Sequence, residues 1–307
     1  MTTGAPSQRR TLAFAVMVAT PAFFSTNLIF GRHLVGEVAP FTLAFLRWSA
    51  VAVLLLPFLR GTGKAVLAIA AARWRLLLLL GFLGMFICGG AVYWALAHTS
   101  ATNGTLIYSA SPVAILFADR LLNGRKIGAR ETAGSLVAFL GVAAILLKGD
   151  PSRIAAAGFN IGDLVFVAAA IAWAFYSVLL RAPAFAGLGN AGLFALVAAA
   201  GAATLAPAAL AEYLAGAAMP ATATAWRDLA GIVVFSSLIA FSGFQFGVRT
   251  LGPSLAGVFM YLLPPWGVAL AVGLLGETLQ GYHVLGIALV VSGVVLATLP
   301  TGLLKRR

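Results

Sequence analysis

YSASPVAILFADRLLNG fills residues 108–124, and MYLLPPWGVALAVGLLG fills residues 260–276. The two stretches lie 152 residues apart, just under half of a chain of 307. Laid over one another without a gap, they bring Pro112 onto Pro264 and Gly124 onto Gly276. The same register, carried outward, places Gly134 on Gly286, Gly141-Val142 on Gly293-Val294, and Leu12 and Phe14 on Leu164 and Phe166. It also sets Ala22-Phe23 with Ser25 on Ala174-Phe175 with Ser177. Proline and glycine shape a helix through its backbone, so their agreement in one fixed register reads as one structural unit written twice.

Composition supplies the surroundings of that unit. Hydrophobic residues make up 62% of the chain, charged residues 9%, and the mean hydropathy is +1.02, outside the range of water-soluble domains. A spanning helix needs about 20 mostly apolar residues. Ten such segments can be read, at about 12–30, 40–59, 76–97, 102–122, 130–147, 161–180, 190–211, 226–248, 254–275 and 281–300. Pro40 opens the second, Arg60-Gly61 closes it, Asp150-Pro151 follows the fifth and Gly252-Pro253 precedes the ninth. No connection is long enough for a separate soluble domain. The first segment follows Arg9-Arg10 but lacks a small-residue cleavage site, so it reads as a retained span rather than a signal peptide.

The net charge of +12 has a topological explanation. With the N-terminus inside, one side receives Arg9, Arg10, Arg60, Lys64, Arg73, Arg75, Arg120, Arg125, Lys126, Arg130, Arg181, Arg249 and the end Lys305 to Arg307, 15 cations in all. The other side receives four, Arg32, Lys148, Arg153 and Arg227. Cytoplasmic loops are the basic ones, so both ends are expected in the cytoplasm. No nucleic-acid partner is needed, because the cations form no stripe and are parted by apolar stretches. Five spans per copy is an odd number, so residues 1–150 and 151–307 are expected as two inverted repeats of five helices. The fold class read from the sequence is therefore an all-α integral membrane protein of ten transmembrane helices. Inverted repeats of this kind build transporters with a central site and alternating access.

Residues 98–147, from His98-Thr-Ser-Ala-Thr-Asn-Gly104 through Ser111-Pro112 and Leu122-Asn123-Gly124 to Gly134, resemble the EamA-type repeat of the drug/metabolite transporter superfamily. Residues 250–299, with Pro264 and the run ending at Glu277, resemble its second copy. Phe24-Ser25-Thr26-Asn27 with Ala44-Phe45-Leu46-Arg47, and Trp173-Ala174-Phe175-Tyr176-Ser177, resemble the starts of the two copies. The resemblance covers nearly the whole chain. It implies a multi-pass exporter of small metabolites in the cell inner membrane, most like the YddG-type aromatic amino-acid exporters. Two positions depart from the pattern: Arg125 stands where the second copy has Glu277, and Phe24 where a Trp commonly begins the first copy.

A substrate site has to be built from polar and aromatic residues at depth, since such groups cost free energy in hydrocarbon unless they pair or face a cavity. The candidates are Asn27, Arg47, Tyr93, Trp94, Tyr108, Ser109, Ser111, Trp173, Tyr176, Gln245, Tyr261 and Trp266. Arg47 is the sharpest, because a central Arg costs roughly 2.5–3.5 kcal/mol on insertion scales. It either clamps a substrate carboxylate through paired hydrogen bonds or stacks on an aromatic ring and holds helices together. Asn27 and Gln245 carry the same two readings, ligand contact or helix-to-helix hydrogen bond. Pro112 and Pro264 leave the carbonyls of Tyr108 and Met260 without their helical donors, free either to line a cavity or to be satisfied by a neighbour such as Ser109. With Gly252, Pro253 and Pro265, these prolines are the expected hinges.

What is missing also narrows the reading. The eight acidic residues, Glu37, Asp119, Glu131, Asp150, Asp163, Glu212, Asp228 and Glu277, and the histidines His33, His98 and His283 all fall near span ends or in loops. A proton-coupled carrier usually keeps such a group at depth, so transport without obligatory proton coupling is expected. No metal-ligand, diphosphate or phosphate-loop motif appears, so neither an enzyme nor a cofactor is expected. The alternatives kept open are another small-metabolite or multidrug exporter and, further off, a membrane-embedded enzyme. Beyond the small-molecule substrate and the lipid bilayer no partner is called for. The chain reads as a monomer, with a homodimer as the alternative use of the glycines at 134, 141, 286 and 293.

Overall fold

The computed structural model describes residues 4–34, 36–60, 62–153 and 158–298. Gly61 and the basic end Lys305 to Arg307, which entered the reading of orientation, lie outside them. Among the described residues all regular structure is helical, and ten helices are long and apolar enough to cross a membrane. They are α1 (Gly4–Leu34), α2 (Pro40–Leu59), α3 (Gly63–Ala95), α4 (Ala101–Asn123), α5 (Ala129–Leu146), α6 (Ile161–Leu179), α7 (Asn190–Leu214), α8 (Ala223–Leu251), α9 (Pro253–Leu274) and α10 (Gly281–Thr298).

Helix ends follow local chemistry. Pro40 opens α2 at a position where its missing N–H costs nothing. Asn160 and Asp163 form a reciprocal capping box at the start of α6. Gly124 closes α4 and Gly276 follows α9, each in the left-handed conformation that glycine adopts without penalty. One boundary corrects the reading from sequence. The basic stretch around Arg60, Lys64, Arg73 and Arg75, expected as a loop before a span at 76–97, is helical from Gly63 onward and kinked at Arg73, whose φ is −126° and ψ 22°. Its Ala- and Leu-rich composition favours helix strongly enough to extend α3 through the charges.

Contacts between the halves come in matching sets. α1 packs on α8 and α9, while α6 packs on α3 and α4; α2 lies along α7, and α5 along α10. The α5–α10 seam is the tightest. A Cβ on Gly141 would stand 2.6 Å from the carbonyl oxygen of Gly286, and one on Gly134 would stand 2.5 Å from that of Gly293. Because 134 meets 293 while 141 meets 286, the two helices run antiparallel. The glycines therefore serve packing within the chain: backbones approach this closely only where side chains are absent, and van der Waals contact is what joins helices in lipid.

Helices α4 and α9 are discontinuous at equivalent places. α4 breaks at Ser109–Ala110 and restarts at Ser111, with Pro112 in its first turn. α9 passes through a 3₁₀ turn at Met260–Leu262 and restarts at Leu263, with Pro264 and Pro265 next. Gly252, at φ 97°, and Pro253 make the corner between α8 and α9. The second half of α4 packs against the first half of α9, where Ile115 covers Gly257 and the Asp119 carboxylate accepts the Ser254 hydroxyl at 2.5 Å.

Substituting Gly141→Leu should lower stability in detergent by about 1–3 kcal/mol, the usual cost of overpacking. Gly273→Leu, where an added Cβ meets nothing within 4 Å, should leave it unchanged. Unfolding midpoints of the two variants test this, and equal midpoints would contradict the seam.

Candidate functional site

α3 and α8 each contain a stretch of π-helical turns, Phe82–Ala91 and Ile232–Ile239, which bulge the backbone where the halves meet. Such bulges gather at functional sites, and these two flank a cavity of about 230 Å³. Much of its lining comes in pairs related by the 152-residue register: Gly84 with Ser236, Gly89 with Phe241, Tyr108 with Met260, Ser109 with Tyr261, Ser111 with Leu263, and Pro112 with Pro264. The breaks in α4 and α9 thus deliver their turns to one place.

The cavity is aromatic on one side. Phe24 meets Phe241 edge-on at 5.1 Å between ring centroids, and Trp173 lies edge-on to Phe241 at 5.7 Å. Edge-to-face contacts of this kind fix ring orientation as well as filling space. Trp48 packs on Phe241 at 4.7 Å, and its indole N–H has no hydrogen-bond partner among the described residues.

Among the described residues Arg47 supplies the only ionised side chain in the lining. It is 6% exposed. Its Nε donates to the Ser237 hydroxyl at 2.5 Å, one Nη donates to the Tyr93 hydroxyl at 2.9 Å, and the other reaches Ser236 only at 3.5 Å. The Tyr93 hydroxyl donates onward to Asn27 Oδ1 at 3.2 Å, and Ser237 donates to the carbonyl of Ile232 within the π-helical turn. The guanidinium carbon stands 4.9 Å from the centre of the Trp48 ring. Among the described residues no carboxylate forms an ion pair with Arg47. A buried charge without a counter-ion is costly, and here neutral hydroxyls and ring faces hold it.

Asn27, Arg47, Tyr108, Ser109, Ser111, Trp173 and Tyr261 are thus brought together around one space, with Pro112 and Pro264 at its wall. Five other candidates stand elsewhere. Tyr93 lies behind Arg47 and orients it. Tyr176 stacks on Trp173 at 5.2 Å from a second layer, pressed against Gly84. Gln245 donates to the Asn190 carbonyl at 2.7 Å and clamps the start of α7 to α8. Trp94 lies over His98 at 4.0 Å beside an exposed turn, and the Trp266 indole N–H ties α9 to the Val18 carbonyl of α1. Gly252, Pro253 and Pro265 belong to helix corners outside the lining. The Met260 carbonyl, expected to be freed by Pro264, accepts the Leu263 N–H, and Ser109 donates to Leu106 rather than to Tyr108.

Phe24, Trp48, Ser236 and Phe241 line the cavity but are not among the site candidates read from the sequence. For Phe241 and Ser236 a signal existed, since both register with glycines of the π-helical stretch in α3.

The acidic residues serve as ties. Asp163 accepts the Thr99 hydroxyl, and Glu212 caps the start of α2 by accepting the N–H groups of Phe41 and Thr42 at 3.1 and 2.7 Å. Asp119 and Asp163 are buried, yet no carboxylate is in the cavity lining.

The family described as EamA-like transporter family matches residues 11–147 and again residues 160–299. The chain belongs to the EamA-like transporter family. It is similar to the uncharacterized transporter YyaM of Bacillus subtilis, 23% identical over 289 residues, 93% of each chain. It is similar also to the uncharacterized inner membrane transporter YedA of Escherichia coli K12, 27% identical over 289 residues, covering 91% of this chain and 90% of that one. A solved crystal structure superposes with a TM-score of 0.77 at 24% identity, covering 96% of this chain and 99% of the other, which is a likeness of fold. This EamA-like chain is therefore a multi-pass membrane protein of a family of small-molecule transporters, and the relatives it matches are transporters rather than enzymes.

Removing one Arg47 partner leaves a charged donor unmatched. Tyr93→Phe should cost about 1.5–3 kcal/mol of stability, as hydrogen bonds to charged groups do. Tyr93→Phe combined with Ser237→Ala should depart from additivity, because both act through the same guanidinium. Chemical unfolding of the two single variants and the double variant checks both expectations.

Proposed function

We propose that this protein exports small amphiphilic metabolites, hydrophobic and aromatic amino acids among them, from the cytoplasm across the inner membrane by alternating access. The observation that carries the reading is the cavity between the two copies, aromatic on one side and holding, among the described residues, one cation without a counter-ion. A pocket with apolar walls and a few fixed polar groups is how small-molecule sites gain both affinity and orientation.

The two copies act as inverted repeats, with both termini in the cytoplasm. The double family match, the antiparallel α5–α10 seam and the matched cross-half contacts support inversion, and the distribution of basic residues supports the orientation. Transport runs without obligatory proton coupling, a reading supported by the lining, in which no carboxylate or histidine is found among the described residues. The breaks at Pro112 and Pro264 with Pro265, and the corner at Gly252-Pro253, serve as hinges.

Counterflow in liposomes tests the whole reading. Labelled phenylalanine or leucine should exchange against internal unlabelled substrate, Trp173→Ala should slow the exchange about tenfold or more, and an uncoupler should leave it unchanged. Absence of exchange for every small metabolite tried would overturn the reading, and collapse on uncoupling would overturn its proton-independent part. Replacing Pro264 and Pro265 together by Ala should slow turnover more than it weakens binding, and unchanged turnover would remove them from the hinges.

A further inference from the structure

Resting on that reading of the cavity, we infer that the group recognised at Arg47 is a single carboxylate carried on an aromatic or apolar body, and that an α-ammonium group adds nothing to binding. The substrate class is then the organic monocarboxylates, with amino acids only one subset of it.

Charge is the first ground. Among the described residues Arg47 is the one ionised residue of the lining, and its hydrogen-bond partners are all neutral oxygens. A monoanion cancels that charge. A zwitterion brings its own positive group beside the guanidinium and leaves the site with a net charge.

Donors are the second ground. The Nη that reaches Ser236 only at 3.5 Å lies at the limit of a useful contact, so one nitrogen of the planar fork is weakly engaged. A carboxylate oxygen is the acceptor with which such a charged donor makes its strongest hydrogen bond. Trp48 Nε1 and the Tyr261 hydroxyl, in side chains that border the same cavity, are buried and have no partner among the described residues. Trp can only donate. The side chains that carry these three donors thus border one space.

Three of the acceptors that border the cavity already take a donor. Asn27 Oδ1 accepts from Tyr93, the Met260 carbonyl accepts from Leu263, and the Leu263 carbonyl accepts from Ser25 at 3.0 Å. Trp173, the largest ring, is stacked on Tyr176 and tilted against Phe244 at 4.8 Å, so its π surface is occupied as well. No carboxylate is in the lining.

The test is a binding panel on the purified full chain in detergent, read by intrinsic tryptophan fluorescence, using 3-phenylpropanoate, L-phenylalanine and 2-phenylethylamine. 3-Phenylpropanoate should bind at least as tightly as phenylalanine, and phenylethylamine about tenfold more weakly or worse. Arg47→Gln should weaken 3-phenylpropanoate about tenfold, while Arg47→Lys, which keeps the charge, should lose less. Should Arg47→Gln prove aggregated by gel filtration, the Arg47→Lys variant and the wild-type panel decide the matter. Phenylalanine bound about tenfold more tightly than 3-phenylpropanoate would overturn the inference while leaving the transport reading intact. Binding of none of the three would also overturn it, and counterflow of some other metabolite in liposomes would then show that the transport reading survives alone.

Discussion

Two backbones in contact hold this molecule together. Between lipid-exposed helices there is no hydrophobic gain from leaving the lipid, so association depends on close packing and on polar ties. The α5–α10 seam meets that requirement with glycines at 134, 141, 286 and 293, each of which leaves no room for a Cβ. Once this seam is set, α4 and α9 are carried inward from either side, and their interrupted turns meet at the centre of the bundle. The cavity is thus a consequence of how the two copies join as well as of the residues that line it.

Within that frame the two copies divide their labour. The paired positions, Pro112 with Pro264 and Gly84 with Ser236, give the space its shape. The polar anchor comes from one copy: Arg47, Asn27 and Trp48 register with Ala199, Leu179 and Ala200. A near-symmetric scaffold therefore presents a site with one charged side. The ties made by acidic residues are likewise unmatched. Asp119 with Ser254 registers with Ala271 and Thr102, which cannot form the same pair.

Much of this could be read from the chain. Ten apolar segments punctuated by Pro and Gly defined ten helices, because helix length in a bilayer is set by its thickness. Arg47 and Trp173 stood out because polar and large amphipathic groups at depth need a reason. The misreadings have physical causes too. Lys64, Arg73 and Arg75 looked like a loop, yet helix propensity between them outweighed their charge. Tyr176 and Trp173 lie three residues apart and share a helix face, and only the neighbouring α3, with Gly84 against the Tyr176 ring, decides which one is in front. Phe24 and Phe241 were indistinguishable from lipid-facing phenylalanines, since an apolar ring gives no sign of its direction. Gln245 and Trp266 satisfied the same depth criterion as Arg47, but their hydrogen bonds close on backbone carbonyls of adjacent helices.

Arg47 has one more consequence, an electrical one. It lies seven residues into α2, about 10 Å along the helix, and so inside the field of an energised membrane. Moving a full elementary charge through that field is worth about 2.3 kcal/mol per 100 mV. An empty cavity carries this charge bare, whereas an anion beside the guanidinium cancels it. Any rearrangement that displaces Arg47 along the membrane normal is therefore voltage-dependent when the site is vacant and nearly voltage-indifferent when it is filled by a monoanion.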